Sequence, residues 1–402
     1  MSEVALGLES MATRFELILA GDDPVRLRAA GEEALQEIER VEALLSRYRP
    51  SSAIAAINAG AGGAPIRVDP RVVTLLRLCA DLSRLTDGAF DVTVGPLLRA
   101  WGFVGGSGAP PDPAALARAR RLVGMDRVEL DAAASTVRLA HAGMELDLGA
   151  VGKGYAIDRA IAILEEHGVP SALLHGGTSS VHVIGQPTSG AGWRVAWRVP
   201  GRPDRPRALT APRPALSVSA RHGKAFVLGD RLLGHVLDPR RGEPVFASLS
   251  ACVVGPTSTL CDALSTALLV KGAGGRAALT ERFPGYSAWV VAAASDRSRR
   301  TVKMGSFGAP GAGAQVRCGP ARTRPGSRIT PRSRLKTPST AIPTSRNGKR
   351  ISQTSGYRTR ASKASGQHRM RRTTQSRNFV KAHLLRRLCS WIRAPAAGGS
   401  RT

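Results

Sequence analysis

The sequence predicts an α+β fold, a single domain of mixed or antiparallel sheets flanked by helices over residues 1–300, followed by a disordered basic tail over 301–402. Three observations predict it. Strand-length apolar segments and helical-period segments interleave without the βαβ rhythm of a doubly wound sheet. Three Asp-Pro pairs, Asp23-Pro24, Asp69-Pro70 and Asp112-Pro113, each open a helical pattern with an N-cap and a first-turn proline. The charge is divided: of 58 Lys and Arg, 23 fall in 301–402, which holds no Asp or Glu, so residues 1–300 keep 35 against all 30 acids, a net of +5.

Residues 4–20 are short and apolar and read as a strand. After Asp23-Pro24, the residues Leu27, Ala30, Leu35, Ile38, Val41, Leu44 and Leu45 recur at near-helical spacing and predict an amphipathic helix of about 20 residues. Asp69-Pro70 opens a helix carrying Val73, Leu76, Cys79 and Leu82; Asp112-Pro113 opens a shorter one from Ala114 to Leu122. Between them, Thr86 to Phe103 is rich in Gly and aromatics and lacks a period. Strand patterns follow at Arg127–Leu130, Thr136–Leu139 and Met144–Leu148. A glycine turn, Gly149 to Gly154, leads into a helix from Tyr155 to His167, with Gly168 as its C-cap. Strands are expected at 171–175, 179–185 and 192–199, then a Pro/Arg-rich loop over 200–214. Ser217–Ser219 and Ala225–Leu228 are strand-like, Thr259–Lys271 is helical, and Ala288–Ala294 is the last strand.

Composition excludes several classes. No apolar run approaches the roughly 18 residues that span a bilayer, so no transmembrane segment is expected. Met1 to Met11 lacks a basic stretch followed by an apolar one, so a cytoplasmic location is expected; a start further upstream would instead allow a periplasmic or membrane-associated one. The five cysteines form no CxxC pair, and Cys79, Cys252 and Cys261 read as small core residues. The tail has too few large apolar residues to offset its ordering entropy. It would bind polyanions without specificity. It carries no nucleic-acid-reading motif, so no specific nucleic-acid partner is expected, and its composition is that of a shifted reading frame in a GC-rich gene.

Five clusters call for chemistry beyond packing. Tyr48, within Ser46 to Ser52, stands after the first long helix, where its ring either faces a pocket or caps the core. In Thr86 to Phe103, Asp91 sits among apolar residues and needs partners if buried. The density of Gly, Asp and aromatics there favours a ligand site over a plain turn. Asp147 to Asp158 combines a strand, a glycine turn with Lys153, and a helix start, an arrangement that favours anions. It fits neither the Walker A nor the dinucleotide spacing. His235 to Pro244 places a lone histidine, structural or catalytic, at a strand-to-turn transition. Asp262 and Thr266, four apart on a helix, share one face. Carboxylate, hydroxyl and a backbone carbonyl suit Mg²⁺; the same Asp is also what a helix N-terminus favours.

Together and in this order, the clusters resemble the ApbE family of FAD:protein FMN transferases over about residues 8–296. The resemblance is carried by Met11 to Phe15, Ser46 to Ser52, Thr86 to Leu97, Trp101 to Phe103, Asp147 to Asp158, Gly176-Gly177, His235 to Gly242 and Asp262 to Ala267. It implies FAD contacts from Met11, Tyr48, Ala89, Phe90, Asp91, Asp147, Lys153 and Val236 or Leu237. It implies Mg²⁺ ligands in the Ala150 carbonyl, Asp262 and Thr266, and a general base in His235, with Asp262 also catalytic. The implied reaction is Mg²⁺-dependent transfer of FMN from FAD to a Thr or Ser hydroxyl of an acceptor flavoprotein, releasing AMP. A Mg²⁺-dependent FAD pyrophosphatase and a non-catalytic FAD-binding protein are the alternatives. The sequence departs from the family pattern at Ala12, Thr178-Ser179, Ser217–Ala220 and Arg241, and places Ser265 where some members have a second carboxylate.

Overall fold

The computed structural model of the protein describes residues 2–106, 108–190, 192–199, 202–210, 214–221, 225–228 and 231–293; the predicted tail lies outside them. The chain opens with β1 (Ser2–Ser10) and β2 (Thr13–Gly21), then α1 (Pro24–Leu45), α2 (Ala53–Ala59), β3 (Ile66–Arg67), α3 (Pro70–Leu85), α4 (Gly95–Ala100) and α5 (Pro113–Arg121). Next come β4 (Val128–Asp131), β5 (Thr136–Leu139), α6 (Gly152–Glu166), β6 (Ser171–Gly176), β7 (Ser180–Ile184), β8 (Arg194–Val199), β9 (Arg202–Thr210) and β10 (Ala215–Ala220). The described chain closes with β11 (Ala225–Leu228), β12 (Arg231–Gly234), β13 (Leu237–Asp238), β14 (Glu243–Pro244), β15 (Ser248–Gly255), α7 (Ser258–Lys271), α8 (Gly275–Arg282) and β16 (Ser287–Ala292).

Seven strands form the main sheet in the order β1-β2-β6-β7-β10-β15-β16, every pairing antiparallel, which bears out the α+β class. Side chains alternate between its faces. Phe15, Leu17 and Leu19 of β2 join the large core that also takes in the buried faces of α1, α3, α6 and α7. Ile18 and Leu173 instead meet Trp193, Val195 and Trp197 on the other side of the sheet. A third, smaller core joins α4 and α5 to β12 and β13 through Leu97, Trp101, Ala119, Leu233 and Leu237. Among the described residues no helix is long and apolar enough to cross a membrane.

The Asp-Pro devices work as predicted. The side chains of Asp23, Asp69 and Asp112 accept hydrogen bonds from first-turn N–H groups of α1, α3 and α5. On α1, Leu27, Leu35, Ile38, Val41 and Leu45 are buried on one face; each such side chain removed from water contributes about 1.5–3 kcal/mol. Cys79, Cys252 and Cys261 are buried thiols outside any disulfide, and burial pushes the Cys79 thiol pKa up.

Several expectations are corrected. The first segment is two strands, not one. Met11 and Ala12 turn the chain with φ of 51° and 56°, the left-handed geometry of a type I′ hairpin. That turn usually announces itself by Asn-Gly, which is absent here. Met144–Leu148 is not a strand: Leu146 bonds in both directions to the amide of Asn58, and Asp147 N–H donates to the Val92 carbonyl. The loop expected over 200–214 contains β9, paired antiparallel with β8; Pro203 and Pro206 sit in a two-stranded ribbon, where missing N–H donors are tolerated. The helix expected from Tyr155 begins at Gly152, which places Lys153 and Gly154 in its first turn. The short helices α2, α4 and α8 and the strand β15 carry too few residues of a clear period to be legible in advance.

Candidate active site

A cleft of about 970 Å³ gathers most of the predicted site. Ala89, Phe90 and Asp91 line it from the loop after α3. Asp147, Ala150 and Lys153 line it from the segment entering α6. His235, Val236 and Leu237 line it from the segment after β12, and Asp262 and Thr266 from α7. Met11 and Tyr48 are not among the lining residues. Met11 packs on the main core, its N–H donating to Glu42 Oε1 at 2.9 Å. Tyr48 is 64% exposed, its ring centroid 5.9 Å from the Arg47 guanidinium.

Asp262 is 3% exposed and held on both oxygens. Oδ2 accepts from Gly154 N–H at 3.1 Å; Oδ1 accepts from Ser217 Oγ at 3.1 Å and from Ser180 Oγ at 3.5 Å. One turn on, Thr266 Oγ1 lies 3.0 Å from Ser219 Oγ, which also meets Ser265 Oγ at 2.8 Å. Ser265 itself is fully buried, and its hydroxyl donates to the Asp262 carbonyl at 2.9 Å. The strand β10, a loose sequence match, therefore supplies two hydroxyls that orient the α7 oxygens.

These groups fit a hard cation. Among the described residues no three of His, Cys, Asp and Glu come together. Ala150, Asp262 and Thr266 line the same cleft and are the residues whose oxygens could hold such a cation; a carboxylate has about four lone-pair sites, of which the three bonds to Asp262 leave one open.

Asp147 is fixed by two bonds, Oδ1 from Gly149 N–H at 2.8 Å and Oδ2 from Arg47 Nη1 at 2.8 Å. Arg47, whose side chain is 7% exposed, also reaches Glu145 Oε2 at 2.5 Å. Burial acts to lower the Arg47 pKa, but the hydrogen bond and charge of Asp147, with Glu145, outweigh it, and the pKa lies above its ordinary value. Removing one partner of a buried ion pair costs about 3–5 kcal/mol because the other charge stays buried. Arg47→Met should therefore lower the melting temperature by several degrees and weaken FAD binding measurably, as read by calorimetric titration; unchanged binding would disconnect Arg47 from the cleft.

Asp91 meets the requirement set by its apolar surroundings. It accepts from Thr93 N–H at 2.8 Å, Thr93 Oγ1 at 2.5 Å, Ser83 Oγ at 3.2 Å and Met125 N–H at 3.3 Å. Burial raises its pKa, and those donors pull it back only in part. Its oxygens brace the Thr86–Phe103 loop through Thr93 and tie it to α3 through Ser83 and to Met125. Lys153 is half-buried on the cleft, and its ammonium makes no hydrogen bond or ion pair among the described residues. His235 is half-buried and lines the same cleft.

Sequence reading missed part of the lining: His175, Arg194, Trp197 and Ser219. His175 Nε2 lies 2.9 Å from Glu16 Oε2, and its Nδ1 3.0 Å from the Gly177 carbonyl. These residues stand on strands whose facing follows only from pairing, so no local pattern marks them.

A sequence model of the ApbE family matches residues 11–290. The FAD:protein FMN transferase of Treponema pallidum is 35% identical over 283 residues, covering 66% of this chain and 77% of that protein. The protein of the same name from Salmonella typhimurium is 30% identical over 274 residues, with coverage of 66% and 77%. The solved ApbE protein of Thermotoga maritima is similar with a TM-score of 0.67 at 26% identity, covering 72% of this chain and 94% of that one. The apo flavinyl transferase ApbE of Pseudomonas stutzeri gives 0.66 at 27% identity, with coverage of 73% and 92%. With the family model matching residues 11–290 of the 402, and a relative of that name 35% identical across 77% of its own length, the chain belongs to the ApbE family.

Proposed function

We propose that the protein is an FAD:protein FMN transferase that moves FMN from FAD to a Thr or Ser hydroxyl of an acceptor flavoprotein, releasing AMP. The observation that carries this reading is the meeting of Asp147, Lys153, His235 and Asp262 on one cleft, in a chain whose relatives bear that name. Ala150, Asp262 and Thr266 would hold Mg²⁺, which when bound neutralises pyrophosphate charge and improves AMP as a leaving group. The Lys153 ammonium adds a positive charge for phosphate oxygens, close to the N-terminus of α6. Val236, half-buried on the cleft, would offer apolar surface to the flavin or adenine ring, with Phe90 and Leu237 buried behind the wall.

In the reaction, the acceptor hydroxyl oxygen bonds to the FMN phosphorus. The bond from that phosphorus to the bridging oxygen breaks, and AMP leaves with the oxygen. The hydroxyl proton passes to the His235 imidazole. Positioning and electrostatics supply most of the rate, as in phosphoryl transfer generally.

The test mixes the full-length chain with FAD, Mg²⁺ and a flavin-carrier domain, followed by a denaturing gel under ultraviolet light. A fluorescent carrier band that EDTA abolishes is expected. A dark band with AMP and FMN released would instead establish a pyrophosphatase, and a dark band with FAD intact would refute transfer to that carrier. His235→Asn should slow transfer by about 10²–10⁴-fold, the range of general base catalysis, while leaving FAD affinity near wild type. A rate near wild type would remove His235 as the base.

A further inference from the structure

The helices α6 and α7 cap each other. Gly154 N–H, in the first turn of α6, has no intrahelical acceptor and donates to Asp262 Oδ2 on α7. In return, Asp158 of α6 accepts from the first turn of α7: Oδ1 from Ser258 N–H at 2.8 Å, Oδ2 from Thr259 N–H at 2.8 Å and from Thr259 Oγ1 at 2.6 Å. Thr257, at the N-cap of α7, makes no side-chain cap bond, so Asp158 performs that role from the neighbouring helix. His182 of β7 closes the group, with Nδ1 3.0 Å from Ser258 Oγ and 3.4 Å from Asp158 Oδ1. Asp158 and His182 are 7% and 6% exposed, and neither lines the cleft.

Gly154 and Asp158 are four residues apart on one face of α6. That face therefore grips α7 at two points, Ser258–Thr259 and Asp262. Ala150 lies just before α6, whereas Asp262 and Thr266 lie on α7. The distance between the carbonyl and the two α7 oxygens is set by how the two helices are joined.

We propose that Asp158 is a positioning residue for the cation site: by capping α7 from α6, it fixes Asp262 and Thr266 relative to the Ala150 carbonyl. This rests on the reading of those three residues as Mg²⁺ ligands. Asp158→Asn is the sharp variant. Both carboxylate oxygens accept backbone N–H groups, so an amide in either orientation sets a donor against a donor. Thr259→Val is milder, since it removes only the hydroxyl bond.

The test titrates full-length wild type, Asp158→Asn, Thr259→Val and Asp262→Ala with Mn²⁺ in the presence of FAD, read by electron paramagnetic resonance, alongside thermal melts. Asp158→Asn should bind Mn²⁺ about 10–100-fold more weakly than wild type, the range for residues that orient a ligand. Thr259→Val should fall between the two, and it keeps the test decisive if Asp158→Asn does not fold. Transfer by the folded variants should recover as Mg²⁺ is raised, KM for Mg²⁺ moving more than kcat. Folded variants with lowered melting temperatures and unchanged Mn²⁺ affinity would reduce Asp158 to a structural cap and overturn the proposal. If wild type binds Mn²⁺ no better than Asp262→Ala, the metal reading itself fails and the proposal falls with it, a result distinguishable from the first.

Discussion

Asp262→Ala is expected to lower covalent flavin transfer by about 10³-fold or more while the protein remains folded. The substitution removes the one carboxylate among the proposed Mg²⁺ donors, Ala150, Asp262 and Thr266. A lost contact to charge developing in a transition state costs about 10²–10³-fold, and losing the cation as well removes several kcal/mol of charge stabilisation. The structural penalty is smaller. Gly154 N–H loses its acceptor, whereas Ser180 Oγ and Ser217 Oγ retain each other at 3.2 Å, and Ser217 also keeps the Ser179 carbonyl at 3.1 Å. One unsatisfied buried donor costs about 1–3 kcal/mol, which a domain of this size can absorb. The fluorescent-acceptor assay, run across Mg²⁺ concentrations, checks the effect. Full activity would sink the assignment of Asp262 to the metal, and activity restored by excess Mg²⁺ would reduce Asp262 to a minor ligand.

Gly154→Ala should lower both stability and transfer. Alanine is favoured over glycine in a helix by about 1 kcal/mol, so helix propensity alone predicts stabilisation. The packing reverses the sign. A Cβ at Gly154 would lie 2.3 Å from the Ser258 carbonyl oxygen and 2.8 Å from Asp262 Cβ. Both are rigid atoms of α7, so the helices must separate, at about 1–3 kcal/mol for overpacking. Separation also moves Asp262 away from the Gly154 N–H, and misplacement by about 1 Å can cost 10²-fold in rate. We expect a melting temperature a few degrees lower and transfer reduced about 10²-fold. Gly168→Ala is the control: it strains a residue at φ 67° with nothing within 4 Å of the added methyl, so stability should fall slightly and transfer should not. Equal loss of activity in both variants would refute the steric argument.

The linear motifs were legible because their chemistry is local. An Asp before a Pro and ahead of an apolar helical period caps and starts a helix, so α1, α3 and α5 could be read with their boundaries nearly intact, whereas Asp238-Pro239, with no such period after it, ends β13 in a turn. Glycine-rich segments with Asp, Lys and His likewise announced the residues that meet in the cleft, and the order of those segments identified the family. Tyr48 and Met11 were named with them, yet one is largely exposed and the other forms a hairpin turn, neither of which spacing along the chain reveals.

What the sequence by itself determined was the fold class, the capped helices, most of the residues that line the cleft and the break in character near residue 300. Only the tertiary structure decided how those groups are held. The ribbon of β8 and β9, the side-chain amide that replaces a strand partner for Leu146, and the serines around Asp262 exist through pairings between distant segments. Asp158 and Ser258 lie 100 residues apart, and Ser180 and Asp262 lie 82 apart. A hydroxyl or a carboxylate has no periodicity that marks its eventual partner. Its role is set when sheet register and helix packing bring a donor within hydrogen-bond distance, where burial makes leaving that donor unpaired costly.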